Sequence, residues 1–402
     1  MISLADIKNA RERIRDSVYL SPAPQSETLS RATGNALCLK LENLQMTGSF
    51  KERGALNRIL SLTPEERAHG VITASAGNHG QAVAYHASRR GIPAQICMPV
   101  YTPITKLNAV KGYGGEAVLV GANYDEAMQE ARRREATEHR TYLSAFDDDA
   151  VIAGQGTIGL ELLEQVPDLE AVVVPVGGGG LISGIACAMK ESKPGVRVIG
   201  VQTTVLPSML TAMREHKPVL LPPGSTVADG IAVRKVGERT LALCEKYVDE
   251  ILTVDDEEIA MAVLWLLEKE KTLAEGAGAA GMAAMLNHKT GLRGKKVAVV
   301  LSGGNMDVTT LSGIIERGLV KDGRLVRLRV TLSDHPGGLQ ALTTVIAEER
   351  ANIVQVTHDR TYFGVHLGET SVDITMETRG PEHVAELLGK LTAAGYVHQR
   401  VT

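Results

Sequence analysis

The chain has 402 residues, 44% of them hydrophobic and 22% charged, which excludes a disordered protein and predicts more than one hydrophobic core. Its formal net charge of -4, without a run of like charges, argues against nucleic acid as a partner. Neither a signal peptide nor a segment long enough to cross a bilayer can be recognised, so we expect a cytoplasmic protein without membrane contact.

Apolar runs and amphipathic stretches alternate through the first three quarters of the chain. A helix is predicted at residues 124–140, where apolar side chains recur on one face. Because the apolar runs lack alternation, they are typical of parallel strands covered on both faces, and we predict an α/β fold with ligands at the carboxyl ends of the strands. These predicted strands are residues 38–42, 70–75, 94–100, 116–121, 171–176, 197–202 and 296–304.

The order of elements changes after about residue 320. The predicted strands there are 325–332, 352–359, 369–378 and 396–401, and the predicted helices are 337–349 and 381–395. The order βαββαβ predicts an antiparallel sheet with helices on one face. We place a hinge at the polar residues 321–324 and predict a separate C-terminal domain.

Cysteine usage gives no sign of a metal centre or of a disulfide framework. Cys38, Cys97, Cys187 and Cys244 are far apart, without a C-x-x-C pair or a histidine at metal-ligand spacing. We expect four buried free thiols.

Four consecutive glycines follow the predicted strand at 171–176 and precede an apolar helix. Gly177, Gly178, Gly179 and Gly180 let backbone N–H groups converge beside a helix N-terminus, which favours a bound phosphate. A flexible turn without a bound ligand is the alternative interpretation of these glycines. The spacing does not fit a dinucleotide motif, and a Walker lysine motif is absent.

A second loop, SAGNH, follows the predicted strand at 70–75. Its backbone amides, from Ser75, Ala76 and Gly77 onward, can hold a carboxylate at the start of a helix. Taken alone, Asn78 and His79 are typical of a helix cap and a solvated first-turn residue.

A third loop begins at Ser302, where the predicted strand at 296–304 ends in glycines that permit close approach of a ligand. A phosphate at one end, a carboxylate at the other and an amine between them describe an amino acid bound to pyridoxal phosphate. The amine is assigned to Lys51, because burial beside Phe50 favours the unprotonated form that attacks an aldehyde.

Four motifs together resemble the fold type II pyridoxal phosphate enzymes, and specifically the threonine/serine dehydratase family. In chain order they are GSFKERGA, SAGNHGQ, GGGGL and LSGGN. The resemblance implies a catalytic domain at residues 1–320 with two α/β subdomains, the smaller inserted at about 52–145. Residues 321–402 are assigned to a second domain that resembles the ACT regulatory domains, and a homo-oligomer, dimer or tetramer, is implied.

The resemblance also implies a role for individual residues. Lys51 would bind the cofactor covalently and then serve as the base at the substrate Cα. Phe50 would flank the cofactor ring, Asn78 would bond its hydroxyl oxygen, and Ser302 would face its nitrogen. The phosphate would be held by Gly177, Gly178, Gly179, Gly180 and Leu181, and the substrate by Ser75, Ala76, Gly77, Asn78 and His79.

The implied reaction is that of a threonine ammonia-lyase, which converts L-threonine to 2-oxobutanoate and ammonia, with L-serine as a further substrate. A serine hydroxyl at the ring nitrogen favours elimination over transamination, because it does not stabilise a protonated ring as a carboxylate does. Ala76 stands where related racemases carry a serine base, so we expect little racemisation. A serine-preferring dehydratase, a serine racemase-like enzyme, a cysteine-synthase-like enzyme and a noncatalytic amino-acid sensor remain alternatives.

The sequence departs from the family pattern at three places. Ser144-Ala145-Phe146 replaces a frequent His-Pro-Phe, and Gln202 replaces a glutamate that is often a cation ligand, so we predict no metal site. Gly276 replaces the proline that usually follows Glu275, which leaves the role of Glu275 open. The metabolic context, isoleucine biosynthesis or threonine breakdown, also stays open.

The ACT resemblance implies allosteric control by an amino acid, with isoleucine or valine as the hypothesis. The implied effector residues are Asp334, His335, Pro336, Gly337 and Gly338, with Asn352 facing the same site. A plain turn between strand and helix is the alternative interpretation of the loop.

Overall fold

The computed structural model describes residues 1–359, 366 and 368–401. It divides into two compact units, Met1–Asp307 and Val308–Thr402. The boundary predicted at residues 320 and 321 falls at the end of the helix Val308–Lys321, inside the second unit. The predicted C-terminal domain includes residues 360–365, 367 and 402, which lie outside the described residues.

The first unit contains two sheets. Its strands are β1 (Gln25–Ser26), β2 (Ala36–Leu41), β3 (Val71–Ala74), β4 (Ala94–Met98), β5 (Glu116–Leu119), β6 (Thr141–Tyr142), β7 (Ala171–Pro175), β8 (Arg197–Thr203), β9 (Glu250–Val254) and β10 (Lys296–Leu301). The larger sheet has the order β1-β2-β10-β7-β8-β9 and is parallel except for the short β1. The smaller sheet has the order β5-β4-β3-β6 and is parallel throughout.

The predicted parallel strands are confirmed, and their apolar composition explains why. Strand β7 is buried along its whole length, from Ala171 to Pro175, so both of its faces lie against other parts of the protein. Sequence reasoning missed β1, β6 and β9. Strands β1 and β6 are only two residues long, and β9 carries polar residues at an edge of the larger sheet. None of the three therefore shows a continuous apolar run.

Helices connect these strands. They are α1 (Leu4–Ile14), α2 (Glu27–Thr33), α3 (Lys51–Leu60), α4 (Pro64–His69), α5 (Asn78–Ser88), α6 (Ile104–Gly112), α7 (Tyr124–Glu138), α8 (Asp149–Gln165), α9 (Gly180–Ser192), α10 (Ser208–Glu215), α11 (Glu238–Tyr247), α12 (Asp256–Glu270) and α13 (Gly276–Leu286). Short 3-10 helices span Glu42–Leu44 and Asp229–Ile231. Helix α7 ends just before the predicted position, because His139 adopts a left-handed conformation with a φ of 54°.

The second unit begins with α14 (Val308–Lys321) and continues in the predicted order βαββαβ. The elements are β11 (Leu325–Ser333), α15 (Gly338–Glu348), β12 (Asn352–Asp359), β13 (Glu369–Glu377), α16 (Pro381–Ala393) and β14 (Val397–Arg400). They form an antiparallel sheet with the order β12-β13-β11-β14. Alternate residues of β11, from Val326 to Leu332, are buried in one core with residues of α15 and α16.

The strand register shows where Asn352 lies within one chain. Asn352 pairs with Glu377, which also pairs with Leu325 at the start of β11. The loop that begins at Asp334 follows the other end of β11, where Ser333 pairs with Glu369. Within one chain, Asn352 and this loop therefore lie at opposite ends of the sheet and do not face one site.

The loop itself is exposed and has local backbone bonds. The Asp334 N–H donates to Gly368 O at 2.9 Å, and the Gly338 N–H donates to His335 O at 3.2 Å. Gly337 has a φ of 91° and precedes the first residue of α15. Asn352 donates instead to the Glu377 carboxylate at 2.9 Å.

All four cysteines are free and buried, as predicted. Across residues 1–359, 366 and 368–401, every helix is too short or too polar to cross a membrane.

Candidate active site

Lys51 is the first residue of α3, and the segment before it is tied to the end of β10. The Phe50 N–H donates to Ser302 O at 3.0 Å, and Ser49 forms an isolated bridge with Gly303. The Lys51 ammonium donates to Ala145 O at 2.8 Å and lies 5.1 Å from the centroid of the Phe50 ring. The lysine is therefore directed inward and is held at a main-chain carbonyl group.

Burial lowers the pKa of Lys51 to about 8, although the nearby Glu275 carboxylate acts in the opposite direction. The unprotonated fraction of the amine near neutral pH is therefore larger than that of an exposed lysine, whose pKa is about 10.4. This is the state in which an amine can attack a carbonyl compound.

His79 is buried beside this lysine and is not the solvated residue that its position in the first helical turn suggested. Burial, together with the Lys51 charge, lowers the pKa of His79 to about 3, so the ring is neutral. Its Nε2 lies 3.0 Å from Leu143 O, and because a carbonyl oxygen only accepts, Nε2 carries the hydrogen. The unprotonated Nδ1 is buried and lacks a hydrogen-bond partner within the described part of the chain.

Asn78 lies at the start of α5 and does not cap it, because its side chain reaches across the cleft. Its Nδ2 donates to Glu275 Oε1 at 2.7 Å, and its Oδ1 accepts a bond of 2.9 Å from Asn305. Burial, with Asp229 nearby, raises the pKa of Glu275 to about 7. The structure thus brings Glu275, whose role the sequence left open, into direct contact with the second loop.

The second and third loops are both close to this contact. Ser75 follows β3, donates its N–H to Cys97 O at 3.1 Å, and accepts a bond of 3.2 Å from Gly77 N at its hydroxyl oxygen. Ser302 follows β10 and is buried. Ser75, Ala76 and Gly77 are half-buried and lie at the N-terminus of α5, whose partial positive charge favours an anion.

The glycine loop connects β7 to α9 and packs against the same segment that binds Lys51. A Cβ on Gly178 would lie 2.4 Å from a ring carbon of Phe146. Gly179 has a φ of 94°, a backbone conformation that is strained for any residue type with a side chain. Leu181 follows in the first turn of α9 and is buried. Because Phe146 is adjacent to Ala145, the glycine loop and the Lys51 ammonium lie on either side of one short segment.

Gln202 is held by two hydrogen bonds to the backbone. Its Nε2 donates to Val176 O at 3.2 Å, and its Oε1 accepts from Leu210 N at 2.9 Å. Groups of three or more potential metal ligands are absent from the described residues.

Together the parallel sheets, the inward lysine and the glycine loop at a helix N-terminus define an α/β enzyme that binds a phosphorylated aldehyde. The family model of the pyridoxal-phosphate dependent enzymes matches residues 14–303. The chain belongs to this family, and pyridoxal phosphate is its cofactor.

Known relatives and solved structures agree with this assignment. The chain is 48% identical over 396 residues to the L-threonine ammonia-lyase of Thermotoga maritima, with 98% of each chain covered. It is similar to the processed form of threonine deaminase isoform 2 from Solanum lycopersicum, at 38% identity and a TM-score of 0.75 over 78% of this chain and 91% of the other. Maize serine racemase has 34% identity and a TM-score of 0.75, over 79% and 98% of the two chains.

The described residues fit this cofactor. Lys51 supplies an amine with a lowered pKa, and the loop at 177–180 supplies a cradle without Cβ atoms at a helix N-terminus. Thr47 and Ser49 precede Lys51 closely in the sequence. Their hydroxyl groups are buried and lack hydrogen-bond partners within the described part of the chain. The site is thus equipped with donors that a polar ligand can use.

The lowered pKa of Lys51 predicts how cofactor attachment depends on pH. We expect the rate at which the apoprotein takes up pyridoxal phosphate to rise as the pH passes through about 8 and then to level off. The substitution Glu275→Gln removes a charge that raises the Lys51 pKa, so the rise should move to lower pH. Stopped-flow absorbance across the pH range measures both rates.

Glu164→Gln is the control for this experiment, because Glu164 pairs with Arg11 on the surface. Its rate profile should coincide with that of the wild type. An unchanged profile for Glu275→Gln would contradict the coupling of Glu275 to Lys51.

Proposed function

We propose that the chain is a threonine ammonia-lyase, which converts L-threonine to 2-oxobutanoate and ammonia and also acts on L-serine. The observation that carries the proposal is the inward-directed, half-buried Lys51, whose pKa is lowered to about 8 and whose amine donates to Ala145 O. The 48% identity to the Thermotoga maritima enzyme supports the same reaction.

Each loop has a part in this proposal. Bound pyridoxal phosphate supplies the electron sink for the bond that breaks at the substrate Cα. The backbone of residues 177–181 binds the phosphate, and the backbone of residues 75–79 binds the substrate carboxylate at the N-terminus of α5. Phe50 would flank the ring, Asn78 would donate to its hydroxyl oxygen, and Ser302 would face its nitrogen.

Lys51 then has two successive tasks. Its amine would hold the cofactor covalently and, once free, would remove the proton from the substrate Cα. Ala145 O, which accepts from the lysine at 2.8 Å, would keep the free amine in position for this proton transfer. The β-hydroxyl would leave as water with a proton from an acid in the site, and a water molecule would then hydrolyse the released enamine to the 2-oxo acid and ammonia.

The test compares ammonia and 2-oxo acid release from L-threonine and L-serine side by side. We expect both amino acids to react, with 2-oxobutanoate formed from threonine. The two substrates differ by one methyl group, which changes kcat/KM by only about 10- to 200-fold. A colourless protein that releases no 2-oxo acid would favour the amino-acid sensor.

Ala76 predicts the stereochemical outcome. A methyl group neither accepts nor delivers a proton, so a proton cannot be returned to Cα from the face of Ala76, and we expect racemisation of L-serine to be far slower than ammonia release. The substitution Ala76→Ser should raise the rate of D-serine formation, measured by chiral chromatography. A wild-type racemisation rate equal to that of ammonia release would contradict this prediction.

For the domains, we propose that residues 1–320 are catalytic, with the smaller sheet as the subdomain at about 52–145. Residues 321–402 are proposed to form an ACT regulatory domain, which the βαββαβ order and the antiparallel sheet support. The effector loop is Asp334, His335, Pro336, Gly337 and Gly338. Because Asn352 lies at the other end of the sheet, its participation requires a second copy of the chain, which accords with a homo-oligomer.

Regulation is tested on the full chain by titrating isoleucine and valine against the initial rate. We expect one of them to change the rate, and His335→Ala in the exposed loop to shift its half-maximal concentration by about tenfold or more. The matched control is His216→Ala, an exposed histidine of the first unit. Identical titration curves for wild type and His335→Ala would contradict the effector site.

A further inference from the structure

A chain of hydrogen bonds between side-chain amides crosses the candidate site and begins at a backbone carbonyl group. Asn305 Nδ2 donates to Thr47 O at 2.6 Å and to Asn78 Oδ1 at 2.9 Å. Asn78 Nδ2 in turn donates to Glu275 Oε1 at 2.7 Å. These three hydrogen bonds link the segment before Lys51, the third loop, the second loop and Glu275.

The direction of this chain is determined at its beginning. A carbonyl oxygen can only accept, so the amide nitrogen of Asn305 must face Thr47 O. The same nitrogen also faces Asn78, so Asn78 must turn its oxygen toward Asn305. Consequently the NH₂ group of Asn78 faces Glu275, with a second hydrogen left for another acceptor.

We propose that Asn305 is a positioning residue, which fixes the amide of Asn78 so that its NH₂ group faces Glu275 and the cofactor ring oxygen. The inference rests on the proposed function, in which Asn78 contacts the cofactor. Asn305 acts through Asn78 and has no contact with the reacting atoms in this assignment.

The backbone at Gly48 leaves room for the side-chain amide of Asn305. Gly48 has a φ of 75°, and a Cβ on this residue would lie 2.3 Å from Asn305 Oδ1. Gly48 also accepts a backbone bond of 2.9 Å from Gly304. A side chain at position 48 would displace the Asn305 amide, so the glycine in TGSFK preserves its orientation.

A reversed Asn78 would place its oxygen against Glu275. Two acceptors repel unless Glu275 carries a proton, so the orientation of Asn78 and the ionisation of Glu275 are coupled. The raised pKa of Glu275, about 7, places this ionisation in an accessible pH range. Asp229, Lys106 and Lys51 also act on Glu275 and remain unchanged in the test below.

The test is the binding of pyridoxal phosphate to apoprotein variants at several pH values. Asn305→Asp replaces the amide donor by an acceptor and reverses the preferred direction of the hydrogen bonds, while Asn305→Ala only removes the donor. We expect the dissociation constant to rise by about tenfold or more for Asn305→Asp and by less for Asn305→Ala. The loss of affinity in Asn305→Asp should be larger above about pH 7 than below it, because a reversed Asn78 accommodates Glu275 only while that carboxyl group is protonated.

Asn43→Asp is the matched control. Asn43 also donates from its amide to a backbone carbonyl, Leu273 O at 2.9 Å, but it does not contact Asn78. Its affinity should stay within about twofold of the wild type at each pH, while its thermal midpoint falls as much as that of Asn305→Asp.

Equal losses of affinity for Asn305→Asp and Asn305→Ala, or losses no larger than that of Asn43→Asp, would overturn the inference. If circular dichroism shows that Asn305→Asp does not fold, Asn305→Ala is compared with Asn43→Ala, and equal affinities of these two would overturn it. Failure of the wild type to bind pyridoxal phosphate would instead remove the proposed function, and the inference with it.

Discussion

Substitution of Lys51 by alanine is expected to abolish ammonia release from threonine, with a loss in kcat of about 10³ or more. Two steps depend on the same amine, namely attachment of the cofactor and proton removal from Cα, so no other residue restores the activity. Borohydride treatment should fix the cofactor covalently to the wild type, at Lys51, but not to the variant. Mass spectrometry of the treated proteins measures the difference.

Lys51→Arg is the matched control for this experiment. It retains a cation next to Phe50, but a guanidinium group remains protonated and cannot serve as the nucleophile. We expect the same loss as for alanine, whereas Lys111→Ala, at an exposed position, should keep full activity. Residual activity of Lys51→Arg near the wild-type level would show that only the positive charge is needed.

The second large effect is expected at Arg53, two residues after Lys51. Its side chain is fully buried and donates to both carboxylate oxygens of Glu42 at 2.8 Å. It also donates to Glu161 at 2.5 and 2.9 Å. Lys40 adds a bond of 2.6 Å to Glu161. Burial raises the pKa of Glu42, but the charge and hydrogen bonds of Arg53, together with Lys40 and Ser21, outweigh this effect and keep that pKa below its usual value.

Replacement of Arg53 by methionine leaves two carboxylates buried with too little positive charge. We expect the free energy of unfolding to fall by about 3–5 kcal/mol. Urea denaturation of the apoprotein, followed by the fluorescence of the single tryptophan, Trp265 in α12, measures the change in the first unit.

Arg11→Met provides the comparison, because Arg11 also pairs with a glutamate of α8. That pair, with Glu164, is exposed, with side-chain accessibilities of 34% and 59%. Its loss should cost no more than about 1 kcal/mol. A similar cost for Arg11→Met and Arg53→Met would contradict the importance of burial.

Local patterns were sufficient for most strands of the two parallel sheets, though not for β1, β6 and β9, and for the βαββαβ order of the second unit. Continuous apolar runs such as Ala171–Pro175 are unambiguous, because such segments are stable only when both faces are covered. The ends of elements were less predictable. Strand β4 stops at Met98, where Pro99 follows without an N–H group to continue the ladder.

The candidate site, too, was predictable from the sequence only in part. The glycine run and the lysine in TGSFKERGA were recognisable because few residue types permit a phosphate cradle or an amine nucleophile. The contacts of Asn78 were not, because a first-turn asparagine is usually a cap and its partners Glu275 and Asn305 are distant in sequence. The separation of Asn352 from the effector loop within one chain was not predictable either, because only the strand register reveals which end of a sheet a residue occupies.

The sequence by itself determined the class of fold and the chemistry available to it, since both depend on residue types and short-range order. Only the tertiary structure decided that Lys51 has a lowered pKa, that Ala145 O holds its amine, and that a directed chain of amides joins three loops. Burial and hydrogen-bond direction arise from packing between segments far apart in the chain, and the printed order of residues does not contain them.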